Sequence, residues 1–150
     1  MDRTLVILIG IQGSGKSTFF QRFLSTDYEK VNLDTLKTRK REMRLVEEYI
    51  AHGVSFAVDN TNPTTEDRAR YILPAKTEGY QVIGFFLESK LQACIERNNR
   101  RTGKEKLPAA AIASTSNRLQ FPSYREGFDE LYFVSNDGEK MTISQWRKNE

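Results

Sequence analysis

The amino-acid sequence contains five short apolar segments separated by more polar stretches. The first, residues 5–9, consists only of leucine, valine and isoleucine, and residues 80–87 are almost as continuously apolar. Continuous runs of this length are typical of strands that are buried on both faces of a parallel sheet. The five predicted strands are residues 5–9, 28–33, 55–58, 80–87 and 131–134.

Helical patterns occupy the intervals between these strands. The predicted helices are residues 18–24, 35–51, 64–78, 90–101 and 109–119. His52-Gly53 ends the second helix, because glycine commonly follows a helix C-terminus. Alternation of strands and helices predicts an α/β fold of three layers, with helices on both faces of a five-stranded parallel sheet. In the polar tail after residue 134, Met141, Ile143 and Trp146 indicate that part of it packs back.

Composition limits the classes of protein to consider. The 150 residues are 38% hydrophobic and 29% charged, which is typical of a single soluble globular domain. The sequence has no apolar run of about 18 residues, so we expect no membrane partner. The single cysteine, Cys94, excludes an intramolecular disulfide and a cysteine metal cluster, and a cytoplasmic setting is expected. The net charge of +3 permits a polyanionic partner without requiring one.

A glycine-rich motif follows the first predicted strand. Residues 10–17 read G-x-x-x-x-G-K-S and lead into the first predicted helix. This context is that of a phosphate-binding P-loop, in which glycines let successive backbone N–H groups point into one concavity. Lys16 then supplies charge for the outer phosphates, and the Ser17 hydroxyl is a magnesium ligand. A chance match in an ordinary strand–turn–helix is the weaker alternative.

Two aspartates follow neighbouring predicted strands, at the edge of the sheet where ligands bind in such folds. Asp34 comes after the second strand, where it could accept the proton of an attacking hydroxyl. Alternatively, it caps the following helix. Asp59 ends the third strand, the usual place for the carboxylate that steers magnesium. It also begins the turn-forming segment Asn60–Pro63, and both roles are compatible.

Cations are concentrated in two segments. The first comprises Arg97, Arg100, Arg101, Lys104 and Lys106. These residues favour a mobile lid that closes over triphosphate charge, rather than only a solvated helix end. The second lies directly after Asp34 and comprises Lys37, Arg39, Lys40, Arg41 and Arg44, with Arg68 and Arg70 further along. Together they could line a groove for a nucleic-acid backbone, whereas for residues 37–44 alone the interleaved glutamates favour a solvated face.

Several segments together resemble the kinase domain of polynucleotide 5′-hydroxyl kinases. They are the P-loop, Val31-Asn32-Leu33-Asp34-Thr35, Val58-Asp59-Asn60-Thr61-Asn62-Pro63, Arg68-Ala69-Arg70-Tyr71, Arg97-Asn98-Asn99-Arg100 and Glu126-Gly127-Phe128. The resemblance covers roughly residues 4–134. A P-loop alone is shared by hundreds of families, whereas the segments around Asp34 and Asp59 are much more specific. Leu33 departs from the pattern, because many members of the family have arginine there.

The resemblance implies a P-loop kinase domain at residues 1–134 with a basic lid, followed by a tail at residues 135–150. It implies ATP and Mg²⁺ as cofactors and a DNA or RNA 5′-hydroxyl end as acceptor. The implied catalytic residues are Lys16, Asp34 as general base and Arg101 as a lid arginine that stabilises the transferring phosphoryl group. The implied nucleotide-binding residues are Gly13, Ser14, Gly15, Lys16, Ser17, Thr18 and Arg97. Ser17 and Asp59 are the implied metal ligands, and Lys37, Arg68 and Arg70 the implied acceptor-binding residues.

Two other functions are compatible with these motifs. One is a kinase of the same fold that acts on a small molecule, such as a nucleoside, a sugar or an antibiotic. The other is a nucleotide-binding ATPase module that needs no general base at Asp34. The sequence does not specify an oligomeric state.

Overall fold

A six-stranded sheet forms the centre of the computed structural model, which describes residues 3–103 and 106–147. The strands are β1 (Thr4–Ile9), β2 (Glu29–Val31), β3 (Phe56–Val58), β4 (Gln81–Leu87), β5 (Glu130–Asn136) and β6 (Met141–Gln145). They lie in the order β2-β3-β1-β4-β5-β6. All neighbouring pairs are parallel except β5 and β6, which are antiparallel. The α/β class is confirmed.

The sixth strand corrects the prediction of a purely parallel, five-stranded sheet. It lies in the segment predicted as a tail and is joined to β5 by a tight turn. In that turn the Asp137 carboxylate accepts hydrogen bonds from the N–H groups of Glu139 and Lys140, at 2.9 and 2.7 Å. Gly138 adopts a φ of 98°, which glycine tolerates without strain. Asp-Gly between extended segments is a strong hairpin signal, and here it reverses the chain.

Helices cover both faces of the sheet. They are α1 (Lys16–Phe19), continued by a π-helical turn (Phe20–Leu24), α2 (Leu33–Leu36), α3 (Arg39–Ala51), α4 (Thr65–Thr77), α5 (Leu91–Asn99) and α6 (Ala109–Arg118), with a 3-10 turn at Tyr124–Glu126. The single helix predicted at residues 35–51 is two helices, because Lys37 adopts a φ of 76° and Thr38 caps α3. In the described part of the chain, no helix has the length and apolar character needed to cross a membrane.

The core has two sides because β1 is buried on both faces. Its odd-numbered residues, such as Ile7, belong to a cluster with Val46 of α3 and Ile72 of α4. Its even-numbered residues, such as Leu8, pack with Phe19 at the end of α1. This burial fixes the carboxyl end of β1 and therefore the loop that follows it.

Candidate active site

The loop after β1 is shaped by two glycines with positive φ angles. Gly13 has a φ of 83° and Gly15 a φ of 100°, a region that favours glycine. A Cβ atom on Gly13 would lie 2.4 Å from the carbonyl oxygen of Cys94 in α5, so no side chain fits there. The loop is therefore curled against α5 and leads directly into α1.

Lys16 folds back over this loop. Its Nζ donates hydrogen bonds to the carbonyl oxygens of Gly10 and Ile11, at 2.9 and 3.0 Å. Burial lowers the pKa of Lys16 to about 8, against the opposing effect of Asp59. Arg101 also lowers this pKa, and Asp34 raises it. The predicted lid arginine and both predicted aspartates therefore lie close enough to Lys16 to affect it electrostatically.

Arg97 and Asn136 donate hydrogen bonds to the backbone of this loop. The Arg97 guanidinium donates to the carbonyl oxygens of Gly13, at 2.9 Å, and Asn136, at 3.0 Å. The Asn136 amide in turn donates to the Ser14 carbonyl oxygen at 3.1 Å. These contacts make Arg97 a support of the loop backbone, and its role in nucleotide binding stays a prediction. Asn136 was not singled out from the sequence, because only the end of β5 brings it to the loop.

Ser17 and Asp59 form a pair of oxygen ligands beside the loop. The Ser17 hydroxyl donates to Asp59 Oδ2 at 3.2 Å, and the Asp59 side chain is buried. Hydroxyl and carboxylate oxygens suit Mg²⁺, which usually takes one or two protein ligands and fills the remaining positions with phosphate oxygens and water. The residues present therefore fit the predicted ion. The described residues contain no group of three or more histidine, cysteine, aspartate or glutamate side chains that could hold a metal ion.

Lys30 shares the same carboxylate oxygen and was missed by the sequence analysis. Its Nζ lies 3.2 Å from Asp59 Oδ2 and 5.3 Å from the centre of the Phe20 ring. The contact depends on β2 lying beside β3 in the sheet, which local sequence does not reveal. Lys30 neutralises part of the charge that a magnesium ion would also neutralise.

Asp34 lies exposed in the first turn of α2, next to these groups. Asn32 caps α2 by accepting a hydrogen bond from Thr35 N at 3.0 Å. The Asn32 amide also donates to the backbone carbonyl oxygen of Asp59 at 2.6 Å. Neither α2 nor α3 is capped by Asp34, so the capping alternative is wrong. The helix that carries Asp34 is instead attached to the residue that bonds Ser17.

A buried hydrogen-bond network holds α2 from its other side. Asn60 accepts a bond from Leu33 N at 2.9 Å and donates to Glu42 Oε2 at 2.7 Å. The buried Glu42 also accepts from Tyr71 Oη and Arg39 NH1, both at 2.7 Å. Burial, followed by the bond to Glu42, raises the pKa of Tyr71 to about 12, so its hydroxyl remains a donor. Glu42 shares the i, i+4 spacing of the buried Val46 and Ile50, a signal that could have identified it.

Arg68 corrects one predicted acceptor contact. Its side chain is fully buried, and its guanidinium pairs with both carboxylate oxygens of Glu126 at 2.7 and 3.0 Å. It also donates to the carbonyl oxygens of Asn62 and Gln120. These partners leave Arg68 inaccessible to an acceptor phosphate, so its role is to join α4 to the segment around residue 120.

The other predicted acceptor and lid residues lie nearer to solvent. Lys37 is exposed at the break between α2 and α3, and Arg70 is partly buried, 3.8 Å from Asp67. Arg101 is partly buried at the start of the predicted lid, whereas Lys104 lies outside the described residues. Their contacts with ATP and acceptor stay predictions.

Asn98 closes the base of the predicted lid loop. This buried side chain donates to the Leu107 carbonyl oxygen at 2.6 Å and accepts from Leu107 N at 2.9 Å. The two ends of the segment between α5 and α6 are thereby held together. Asn98 was quoted only as part of a motif, although its i+4 spacing from the buried Cys94 indicated an inward-facing amide.

The fold is that of the P-loop kinases. Among solved structures, a sugar kinase from Janibacter sp. HTCC2649 superposes with a TM-score of 0.69 and 15% identity, over 88% of this chain and 84% of that chain. No protein-family model matches the chain.

The curated relatives with similar sequences include polynucleotide phosphatase/kinases. The chain is 34% identical over 131 residues to the bifunctional polynucleotide phosphatase/kinase of Schizosaccharomyces pombe (strain 972), covering 85% of this chain and 32% of the relative. It is 29% identical over 156 residues to a putative bifunctional polynucleotide phosphatase/kinase of Acanthamoeba polyphaga mimivirus, covering 98% of this chain and 37% of the relative. The chain thus spans about a third of the length of these two relatives. The resemblance to polynucleotide kinases is confirmed.

Proposed function

We propose that the protein is an ATP-dependent kinase that transfers the γ-phosphoryl group to the 5′-hydroxyl end of a nucleic acid. The observation that carries this proposal is the chain of contacts from Ser17 through Asp59 to Asn32, which caps the helix of Asp34. It links a phosphate-binding loop to an exposed carboxylate. The similarity to polynucleotide phosphatase/kinases supports the choice of acceptor.

In this mechanism each side chain has one task. Lys16 leaves the carbonyl oxygens of its own loop and binds the outer phosphates, while the loop N–H groups hold the remainder. Ser17 and Asp59 would hold Mg²⁺, which would offset phosphate charge. The carboxylate of Asp34 accepts the proton of the 5′-hydroxyl as the oxygen–phosphorus bond forms and the bond between the β- and γ-phosphates breaks. ADP leaves, and Arg101 stabilises the transferring phosphoryl group.

The exposure of the acceptor side favours a polymer end over a small molecule. Asp34 and Lys37 are exposed, and so are Lys40, Arg41 and Arg44 on α3. An open basic surface can accept a chain that extends beyond the reacting group, whereas a small substrate is usually enclosed. The likeness to a sugar kinase supports the small-molecule alternative only at the level of fold.

The Asp34→Asn variant tests the proposal directly. The protein is incubated with γ-labelled ATP, Mg²⁺ and a 5′-hydroxyl oligonucleotide, and label on the oligonucleotide is counted. We expect wild-type transfer, and a loss of about 10²- to 10⁴-fold in the variant, with ATP affinity unchanged. Asp27→Asn, at an exposed aspartate before β2, is the matched control and keeps full activity.

Each alternative gives a different result. Transfer to nucleosides or sugars but not to oligonucleotides would establish the small-molecule kinase. ATP hydrolysis without transfer to any alcohol, and with no effect of Asp34→Asn, would leave only the ATPase module. Full transfer activity in the Asp34→Asn variant would remove Asp34 from the role of general base.

A further inference from the structure

Phe121 is an aromatic side chain that the fold holds in an exposed position. It is 66% exposed, the highest value among the large hydrophobic side chains of the described residues. Its ring contacts Phe86 edge-on, with centroids 5.5 Å apart and planes at 81°, and lies 6.0 Å from the Trp146 ring. The ring thus packs against two aromatic side chains, while a large part of its surface remains exposed to solvent.

The backbone beside Phe121 is fixed by several contacts. Gln120 N donates to the Pro63 carbonyl oxygen at 2.7 Å, and the Gln120 carbonyl oxygen accepts from the buried Arg68 at 3.1 Å. The Gln120 side chain accepts from Thr65 N, at the start of α4. Such contacts reduce the conformational freedom that Phe121 would lose on binding a ligand.

Phe121 lies at the same edge of the sheet as the candidate active site. Its neighbour Phe86 pairs with Ile9, the last residue of β1 before the P-loop. Asn60, which holds α2, and Pro63, which holds Gln120, are three residues apart. Their Cα atoms are therefore at most about 11 Å from each other. The backbone that holds Phe121 is therefore close to the backbone that holds the helix of Asp34, and we expect a single strand, at about 3.4 Å per nucleotide, to reach from one to the other within a few nucleotides.

Two cations lie near Phe121 in the sequence. Arg118 ends α6 and Arg125 lies in the 3-10 turn, and both are exposed. Within the described part of the chain, neither guanidinium forms an ion pair. An exposed aromatic ring accompanied by cations is the combination that binds single-stranded nucleic acid, because bases stack on the ring and phosphates are attracted to the cations.

We propose that Phe121 is a stacking platform for a base of the acceptor strand, a few nucleotides from the 5′ end, with Arg118 and Arg125 attracting the flanking phosphates. The inference rests on the proposed function, because it assigns a binding surface to the same nucleic-acid acceptor. It predicts that acceptors long enough to reach Phe121 bind more tightly than a single nucleotide.

The first experiment measures KM and kcat for 5′-hydroxyl acceptors of one to ten nucleotides. In the wild-type protein KM falls once the acceptor is long enough to reach the ring. In Phe121→Ala this gain is lost, raising KM for long acceptors by about fivefold or more, which is what loss of one stacked base produces. The KM of the mononucleotide and kcat remain unchanged. Phe121→Trp restores the gain, because its ring can stack as well.

Leu73→Ala is the matched control, because Leu73 is a similarly exposed apolar side chain, at 63%, on the outer surface of α4. It leaves every KM unchanged. Equal melting temperatures of the Phe121 variants and the wild type establish that the fold is retained.

The second experiment uses Trp146, the only tryptophan of the chain, as a reporter of binding. A single-stranded oligonucleotide without ATP changes its emission in the wild-type protein, and Phe121→Ala abolishes this change. Oligonucleotide kinase activity with the same length dependence in Phe121→Ala would overturn the stacking surface and leave the proposed function intact. Absence of both transfer and a fluorescence change would overturn the two proposals together.

Discussion

At the scale of single residues, Lys16 carries the charge that we propose binds phosphate, in an environment that is unfavourable for that charge. Burial lowers the pKa of Lys16 from its usual value of 10.5 to about 8. The charged form is therefore penalised in the folded protein relative to the unfolded chain. This penalty is fully present below about pH 8 and disappears as the pH rises towards the unfolded value. A bound anion would have the opposite effect and return the proton to Lys16.

We therefore expect nucleotide binding to be linked to proton uptake. Above pH 8 a growing fraction of Lys16 is neutral in the free protein, given its pKa of about 8. Affinity for ADP or ATP should fall as the pH rises from 7.5 to about 9, and each binding event should take up part of a proton. Isothermal titration calorimetry at pH 8.5, in two buffers of different ionisation enthalpy, measures that uptake as a difference in apparent enthalpy.

Lys16→Met provides the control for this titration. It should bind nucleotide weakly and lack the part of the buffer-dependent enthalpy that comes from Lys16, since the nucleotide's own protonation contributes equally to both proteins. Equal apparent enthalpies in the two buffers for the wild-type protein would show that Lys16 keeps its proton throughout, and would contradict the lowered pKa.

The site residues that could be predicted are those whose partners lie close to them in the sequence. Lys16 and Ser17 belong to one short motif, whose residues are neighbours in the sequence. Arg68 was assigned wrongly because its partner Glu126 lies 58 residues away, and only the folded chain shows that the cation is already neutralised. Lys30 was missed for the same reason, since its contact with Asp59 crosses between strands.

At the scale of elements, α2 is too short to be stable alone and depends on its attachments. It has four residues, whereas isolated helices of fewer than about 12 residues are marginal in water. One attachment is the Asn32 cap, and the other is the hydrogen bond that Leu33 N donates to the Asn60 side chain. Because Glu42 orients Asn60, the position of Asp34 depends on a buried carboxylate that contacts no substrate.

The Glu42→Gln variant tests this dependence. A glutamine offers one acceptor oxygen and one amide donor where the Glu42 carboxylate accepts three hydrogen bonds, so at least one of these bonds is lost and two donors face each other there. We expect a loss of stability of about 1–3 kcal/mol. We also expect a fall in kcat of roughly ten- to hundredfold from displacement of Asp34, with nucleotide affinity unchanged. Thermal unfolding and steady-state kinetics measure these effects.

Glu47→Gln, on the exposed side of the same helix, is the control and should change neither quantity. Tyr71→Phe removes a hydroxyl group from the same network and should also lower kcat. A Glu42→Gln protein that is less stable but has an unaltered kcat would show that the network supports the fold without positioning Asp34.

The boundaries of the elements were harder to predict than their order. Residues 35–51 have one continuous helical pattern, and nothing in that pattern reveals that Lys37 adopts a positive φ and breaks the helix. The break matters, because it allows the start of α2 to bond Asp59 and Asn60, directly after β3, while α3 covers the core. The antiparallel β6 was missed because most of its side chains are exposed and few are apolar, so only the Asp137-Gly138 turn indicated it.

At the scale of the whole molecule, the alternation of strands and helices was sufficient to predict the parallel α/β topology. Continuous apolar strands can be buried only between two helical layers, and the P-loop motif fixes which end of the sheet binds phosphate. The arrangement of the C-terminal residues could not be predicted in this way. These residues pack against the core through Trp146, whose ring lies 5.3 Å from that of Phe86 and 6.3 Å from that of Phe133.

These contacts predict that the C-terminal strand unfolds together with the sheet rather than as a separate tail. Trp146 is 6% exposed, so Trp146→Ala should cost about 3–5 kcal/mol. Met141 approaches Gly15, and a Cβ atom on that glycine would lie 2.8 Å from the methionine methyl group. Loosening β6 should therefore also weaken nucleotide binding at the P-loop. Urea denaturation followed by circular dichroism measures the stability, and calorimetry the affinity.

Ile143→Ala is the matched control, because Ile143 lies on the same strand but is 40% exposed. It should cost less than about 1 kcal/mol, since little apolar surface leaves the core. Wild-type unfolding should follow one transition, with Trp146→Ala shifting its midpoint and leaving its slope nearly unchanged. Two separate transitions, or a Trp146→Ala variant with wild-type stability, would mean that β6 and Trp146 do not contribute to the stability of the sheet. The P-loop would then be held by α5 and Arg97 without support from β6.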